Sequence, residues 1–514
     1  MRTQMTVDKT DALIDRPASW RAIDWQRARR EVRRLQVRIA KAIREGNRRK
    51  AKDLQWMLTH SFYAKALAVK RVSSNKGRHT PGVDGAVWHS ARAKMQAAFC
   101  LQRRGYRAQP LRRCYIPKKN GKKRPLSIPT MLDRAMQALY KLALSPVAET
   151  TADRNSYGFR ECRSCADAVA VAFTALSLPN SATWVLEADI DGCYDNISRA
   201  WLLKNIPLDK RVLGQWLGAG YIENGKMYPT RKGAPQGGVI SPTLANMTLD
   251  GLERAVRNAV PRRSRVNFIR YADDFIITGK SKTILENNVL PAVKAFLAER
   301  GLQLSQEKTR VTYIRDGFTF LGQTFRKYGR VLRITPSKES VLSLLRKVGT
   351  LIRKYTGAPI ELLTKKLNQM LRGWANYHRH VVASRAFSRV DTYVYEQLWR
   401  MLRRRHHNRS RDWLIRKYWT AAGHKWHFAV KRKVKGTYRV YRVMRVSAIG
   451  IKRHIKVRSE ANPYPPQYGK YFADRRQNRA AREMKGLTAR AQKHLSPNEA
   501  NRRATQPGRP LLNA

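Results

Sequence analysis

In VNFIRYADDFIITG, residues 266–279, two runs of apolar, β-branched and aromatic residues flank the adjacent carboxylates Asp273 and Asp274. This pattern predicts two antiparallel strands with Ala272, Asp273 and Asp274 at their connection. A hairpin tip projects its side chains out of the sheet. Two like charges then stand side by side, where either water or a cation must offset their repulsion. Aspartate is common in turns for local hydrogen-bonding reasons, so the stretch alone does not choose between the two.

A second acidic stretch narrows the choice. WVLEADIDGCYDNI, residues 184–197, begins as an apolar strand, brings Asp189 to its end and continues through Asp191 and Asp195 in a turn. Nucleotidyl transfer needs carboxylates from separate strands to hold two Mg²⁺ ions about 3.5–4 Å apart, one activating the attacking 3′-hydroxyl and one stabilising the leaving pyrophosphate. Asp189, Asp273 and Asp274 supply such a set. Beside a dication all of them can stay ionised.

Charge points the same way. The 514 residues carry 104 Lys+Arg against 36 Asp+Glu, a formal net charge of +68. So large an excess repels itself in a compact fold unless an anionic partner screens it, which favours nucleic acid, with a membrane surface second. There is no apolar run of eighteen or more residues for a spanning helix, and MRTQMTVDKTDALIDRPASW lacks the apolar centre of a signal peptide. A soluble intracellular protein without a membrane partner is expected. Five cysteines, of which Cys162 and Cys165 form a single CxxC with no second pair, suit a reducing compartment and a structural or incidental role rather than zinc.

The length suits roughly two to four domains. Val32, Leu35, Ile39 and Ile43, then Leu54, Leu58 and Phe62, predict helix from Trp20 to about Val72, with basic outer faces open to solvent or to a nucleic-acid backbone. SSNKGRHTPGVDG, residues 73–85, reads as a boundary loop. From Leu111 to about Phe325 short apolar strands alternate with helical segments, as in an α+β domain. Helical periodicity returns from Thr335, with Leu342, Leu345, Val348 and Ile352 on one face, and continues through Trp374 and Tyr377. Residues 401–460 hold 19 Lys+Arg and two acidic residues, interleaved with Trp413, Tyr418, Trp419, Trp426, Tyr438 and Tyr441, a composition that suits phosphate contact with base stacking. The tail beyond Tyr471, poor in apolar residues, is expected to be partly disordered without a partner.

The ordered series RRCYIPKKNGKKRPLSIPTMLDRAMQ (112–137), SYGFRECRSCADA (156–168), ADIDGCYDNI (188–197), GAPQGGVISPTLAN (233–246), RYADDFII (270–277), GLQLSQEKTR (301–310) and GFTFLGQTF (317–325) resembles the motifs of bacterial group II intron reverse transcriptases, over about residues 20–475. The resemblance implies an α+β right hand. By the same resemblance an RNA-binding helical extension would span 1–80, fingers and palm 81–331, an α-helical thumb and maturase domain 332–430, a basic DNA-binding region 431–475 and a basic tail 476–514. It implies Asp189, Asp273 and Asp274 as catalytic metal ligands for two Mg²⁺, with the main-chain carbonyl of Ile190 as a further ligand. Tyr194 would lie beneath the sugar of the incoming dNTP and exclude a 2′-hydroxyl. Among the finger cations Lys122, Lys123 and Arg124, the last would make the main triphosphate contact. Gln236 would pack on the nucleotide, with Gly237 and Gly238 permitting close approach. Lys308 would lie near the catalytic groups, the alternative being a surface lysine.

LNQMLRGWANYHRH, residues 367–380, resembles the maturase region that grips intron RNA. Leu367, Met370, Leu371 and Trp374 are explained by packing, which leaves Arg372, Arg379 and His380 as candidates for RNA contact. RHIKVRSEANPYPPQYGKYFADR, residues 453–475, resembles the segment joining a DNA-binding region to an HNH endonuclease in longer relatives. Residues 476–514 depart from those relatives: they carry no cysteine and one histidine, His494, so no HNH activity is expected. The expected protein is a bacterial cytoplasmic enzyme, nucleoid-associated when engaged with DNA. It would bind intron RNA as a lariat ribonucleoprotein, assist splicing and reverse splicing into target DNA, and copy the intron into cDNA. Two other readings stand beside it, a reverse transcriptase domesticated for repair or phage defence and a polymerase-inactive splicing factor. The N-terminal helices suit either RNA binding or self-association, which leaves the oligomeric state open.

Overall fold

The computed structural model describes residues 17–478 apart from 18, 118–120, 122, 231, 423, 424 and 435. Lys122, and the tail from 479 onward that was expected to be partly disordered, lie outside the described residues. Two compact units form. The first takes the chain up to Leu176, then Asn180–Tyr313 and Val457–Gly469; the second takes Ser177–Pro179, Ile314–Lys456 and the chain from Lys470.

The first unit opens with helices at Trp25–Arg44, Arg48–His60 and Phe62–Ser74, where the periodicity predicts one continuous element. Asp24 caps the first by accepting from the amides of Gln26 and Arg27. The breaks are local chemistry. Gly46 takes φ +73° beyond the first helix, Asn47 accepts from Lys50 N to start the second, and Ser61 is extended between the second and third. The predicted stripe is retained across the breaks: Val32, Ile39, Leu54 and Leu58 are buried, while Leu35, Ile43 and Phe62 pack at its edge. All three helices pack on the long helix Met131–Thr151.

Two sheets follow. In the first, β1 (Leu111–Pro117) pairs antiparallel with β2 (Lys123–Ile128) and parallel with β4 (Tyr221–Glu223), which pairs with β5 (Lys226–Tyr228). The second is fully antiparallel in the order β6 (Phe268–Tyr271), β7 (Asp274–Gly279), β3 (Trp184–Ala188), β8 (Arg310–Tyr313). Its centre is apolar, with Val185, Leu186, Ile276 and Ile277 all buried.

Val457–Gly469 returns to this unit from far along the chain. Val457 N–H donates to Asp167 Oδ1 at 2.7 Å, Asn462 Nδ2 donates to Thr150 Oγ1 at 3.2 Å, and the Arg163 guanidinium donates to Ser459 O at 2.7 Å. Tyr464 is 1% exposed. Its hydroxyl donates to Glu161 Oε1 at 3.0 Å, and the Arg33 guanidinium lies over its ring at 4.6 Å while donating to Pro463 O.

The second unit begins with the meander β9 (Phe318–Phe320), β10 (Gln323–Tyr328) and β11 (Val331–Pro336). The helices Lys338–Lys354, Ile360–His378 and Ser384–Arg405 follow. The predicted stripe on the first of these is rotated slightly: Val341, Leu344, Leu345, Val348 and Ile352 are buried, and Leu342 is half-buried. After the helix Arg411–Tyr418 comes a sheet that periodicity did not predict, β12 (Trp419–Ala422), β13 (Lys425–Val434) and β14 (Thr437–Arg442). Separate helical and antiparallel layers give the α+β class expected. Among the described residues no helix is long and apolar enough to cross a membrane.

Candidate active site

The β6–β7 connection is the two-residue turn Ala272–Asp273, closed by the Tyr271–Asp274 pair. Ala272 sits at φ +59°, a left-handed conformation that costs an L-residue about 1–2 kcal/mol, so contacts outside the hairpin have to hold it. Arg270 N–H donates to Asn155 O and Tyr157 N–H to Arg270 O, both at 2.9 Å. Gly158 lies so close behind the turn that a Cβ on it would stand 2.4 Å from Ala272 N. The Arg270 side chain is fully buried. It donates to Asp250 Oδ1 at 2.6 Å, Asn246 Oδ1 at 3.2 Å and Ala272 O at 3.4 Å. Burial pushes the Asp250 carboxyl up to about 6 against the pull of Arg270.

Asp189 follows β3, whose last pair is Ala188 with Phe275, and so comes beside Asp274. A short segment braces it. Ser305 N–H donates to Asp189 O at 2.8 Å and Asp191 N–H to Gln303 O at 2.9 Å. In this pairing Ile190, opposite Leu304, turns its own N–H and C=O away from the segment. The same segment delivers Lys308, whose ammonium donates to Asp189 Oδ2 at 2.5 Å. One pair below, Glu187 accepts from Arg310 Nε at 2.8 Å and Thr312 Oγ1 at 2.7 Å, which locks β3 to β8.

The carboxylates crowd one another. Asp274, exposed at one edge, is pushed up to about 7 by loss of water on its inner side, then by Asp273 and Asp189. Asp273 is raised first by burial, Asp189 adding to it and Arg124 and Lys308 opposing. Lys308 is raised by its hydrogen bond to Asp189. Among the described residues no three His, Cys, Asp or Glu side chains are drawn into a ready-made cation cage. Lys308 acts on all three, hydrogen-bonding Asp189 and drawing Asp273 and Asp274 down through space. An all-oxygen, like-charged set of this kind fits Mg²⁺.

A second group adjoins the carboxylates. Gly192, at φ +49°, leads into the short helix Cys193–Asn196, and the half-buried Tyr194 accepts from Ala234 N through its carbonyl at 2.7 Å. Gln236 Nε2 donates to Asp195 Oδ2 at 2.9 Å, and its carbonyl accepts from Ser127 N at 2.7 Å. A Cβ on Gly237, at φ +115°, would stand 2.5 Å from Ser127 O. The loop therefore stitches Tyr194 to β2, which carries Lys123 and Arg124, both exposed. The Arg124 charge reaches the Tyr194 phenol, which burial raises and Asp273 raises further. Arg124, Tyr194, Gln236 and Lys308 thus gather with Asp189, Asp273 and Asp274.

The RNA candidates belong to the second unit. Arg372 is exposed on the helix Ile360–His378, while Arg379 and His380 are half-buried at its end. Arg379 Nη1 donates to Asn376 Oδ1 at 3.3 Å, and the His380 ring meets His454 edge-on at 6.3 Å. Sequence reasoning missed Gly158, Glu187, Asn246, Asp250 and Arg270. A charged residue inside the apolar run FIRY was the available signal, since a buried cation requires a buried partner.

Residues 116–325 match the family model for reverse transcriptase (RNA-dependent DNA polymerase), residues 20–101 that for the N-terminal domain of reverse transcriptase, and residues 341–419 the group II intron maturase-specific domain. Protein YkfC of Escherichia coli K12 is 31% identical over 323 residues, 54% of this chain and 85% of its own length. The chain belongs to the group II intron reverse transcriptase family. Group II intron-encoded protein LtrA of Lactococcus lactis is 30% identical over 347 residues, and the match spans 54% of this chain and 57% of LtrA. Maturase-like protein 1 of Euglena gracilis, 22% identical, matches 69% of this chain and 76% of its own. The hairpin carboxylates and their braces fall inside the reverse transcriptase match, and the helix with Arg372 inside the maturase match.

Proposed function

We propose that this group II intron reverse transcriptase is an active RNA-directed DNA polymerase that binds its intron RNA, assists splicing and reverse splicing, and copies the intron into cDNA from dNTPs. The observation that carries the reading is the convergence of Asp189, Asp273 and Asp274 at one end of the β3–β6–β7–β8 sheet, with Arg124, Tyr194, Gln236 and Lys308 around them. The three aspartates and the Ile190 carbonyl would hold two Mg²⁺, which when bound supply an activated 3′-hydroxyl and charge neutralisation on the leaving pyrophosphate. The remaining work falls to the chain. Arg124 stands opposite the triphosphate, Tyr194 closes the space a 2′-hydroxyl would need, and Gln236, fixed between Asp195 and Ser127, braces the nucleotide. Lys308 holds Asp189 until the substrate complex assembles.

On the RNA side the protein lowers the electrostatic cost of folding a polyanion, and Arg372, Arg379 and His380 are its contacts on the maturase domain. The primer in this reading comes from elsewhere, such as a nascent strand at a replication fork. The working compartment is the bacterial cytoplasm, at the nucleoid during integration.

Asp273→Ala should abolish primer extension on an RNA template while the co-purified intron RNA still splices. A wild-type protein unable to extend a primer with dNTPs and Mg²⁺ would sink the polymerase assignment. Recovery of only heterogeneous RNA from its native locus would sink the maturase assignment.

A further inference from the structure

We propose that the second unit carries a pocket for a single unpaired RNA base, formed between the helix Ser384–Arg405 and the sheet β12–β14. The proposal rests on the RNA-binding reading above and adds to it a contact made by stacking rather than by charge. The cavity measures about 380 Å³ and is lined by Tyr395, Leu398, Trp419, Phe428, Val443 and Arg445 among others. That size lies in the range of small-ligand sites.

Its wall is aromatic. The Tyr395 ring centroid is 4.7 Å from that of Trp419. Trp399 stacks on Trp419 at 5.5 Å and 17°, and Phe428 meets it edge-on at 5.5 Å. Trp419 is 6% exposed, whereas Tyr395 is 44% exposed. One tyrosine ring therefore stands open to solvent with a fixed aromatic support beside it, which is the construction of a base-stacking platform. The Trp419 indole N–H is buried in this wall without an acceptor. A base carbonyl seated against the wall would supply one.

The surroundings select the occupant. Arg445 lines the cavity, and Arg389 and Arg442 are exposed on the helix and on β14, so a phosphate on either side of the seated base meets positive charge. Asp391 also lines the cavity: its two oxygens accept the amides of Val446 at 2.6 Å and Ser447 at 2.9 Å, and Oδ2 lies 4.0 Å from Arg445 Nε, so the unpaired positive charge is that of Arg389 and Arg442. Thr392 Oγ1 donates to Ser388 O at 3.2 Å, and the same oxygen is left to accept from a ribose 2′-hydroxyl, which favours RNA over DNA.

The test uses full-length protein and a fluorescein-labelled oligouridylate at high salt, where phosphate contacts are weakened and stacking persists. Tyr395→Ala should weaken binding roughly tenfold, the scale of one base on one ring, while Tyr395→Phe binds as wild type. Primer extension should be unchanged in both. A 4-thiouridine probe should crosslink to a peptide containing Tyr395 or Phe428. An unchanged affinity in Tyr395→Ala, a crosslink confined to other peptides, or an equal loss with oligodeoxyuridylate would overturn the pocket and leave the RNA-binding reading intact. Wild-type protein that fails to hold the oligouridylate at high salt also overturns the pocket, whereas failure to bind its intron RNA at low salt overturns the reading it rests on.

Discussion

Gly158→Ala isolates what holds the Ala272–Asp273 turn. Gly158 lies outside the left-handed region, so alanine is compatible with its backbone. The whole effect must therefore come from contact. The added Cβ would stand 2.4 Å from Ala272 N and 2.9 Å from Tyr271 C. Both are backbone atoms of the turn that carries Asp273 and cannot rotate aside. Restoring ordinary contact requires a displacement of about 1 Å, and misplacing reacting groups by that much can cost on the order of 10²-fold in rate. Overpacking of this kind costs about 1–3 kcal/mol in stability. Single-turnover primer extension at saturating dNTP and template–primer should thus fall about a hundredfold, with a modestly lowered melting temperature. Gly218→Ala, on a helix where a Cβ meets nothing within 4 Å, should leave the rate unchanged and stability equal or up to about 1 kcal/mol higher. If Gly158→Ala extends primers within threefold of wild type, the loop behind the turn does not set the position of the aspartates.

Arg270→Met strands Asp250 in the interior and should cost about 3–5 kcal/mol in chemical denaturation, with much of the loss recovered in Arg270→Met/Asp250→Leu; equal destabilisation of both variants would refute this. His378 is fully buried between Ser340 and Gln323, and burial lowers it to about 4 from 6.5. A depressed histidine stabilises fully above 6.5 and loses that contribution as pH falls toward 4. Stability should drop by about 2 kcal/mol between pH 7.5 and pH 5, and His378→Gln should remove that part of the melting-curve dependence. Tyr464→Ala, deleting a buried ring far from the carboxylates in sequence, should destabilise the first unit by about 3–5 kcal/mol. Tyr464→Phe, which leaves Glu161 without that donor, should cost about 1–3 kcal/mol. Limited proteolysis of the Asn180–Tyr313 region reports both, and unaltered cleavage would contradict the packing described.

What could be read in the sequence was what neighbours in sequence decide. The alternation around Asp273 and Asp274 defined a hairpin, and the stripe from Val32 to Leu58 defined helical faces because both periodicities are local. The breaks at Gly46–Asn47 and Ser61 were written in capping residues, but the apolar repeat continues across them and masks them. Arg270, Asn246, Asp250 and Gly158 went unassigned because their meaning lies in partners on other elements. The Val457–Asp167 hydrogen bond spans 290 positions. No window of sequence contains it.

The return of Val457–Gly469 also fixes an order of manufacture. The first unit is interrupted in sequence by the whole of Ile314–Lys456, so its last packing partners, Tyr464 among them, leave the ribosome long after the aspartates have been made. At about 5–20 residues per second, the polymerase unit waits on the order of ten to thirty seconds for its closing segment. A chain cut short anywhere in that interval carries Asp189, Asp273 and Asp274 but lacks the segment that seals Glu161 and Thr150. Completion of the first unit is thereby tied to prior synthesis of the maturase-domain helices, so that a finished reverse transcriptase fold always comes with the maturase part of the chain.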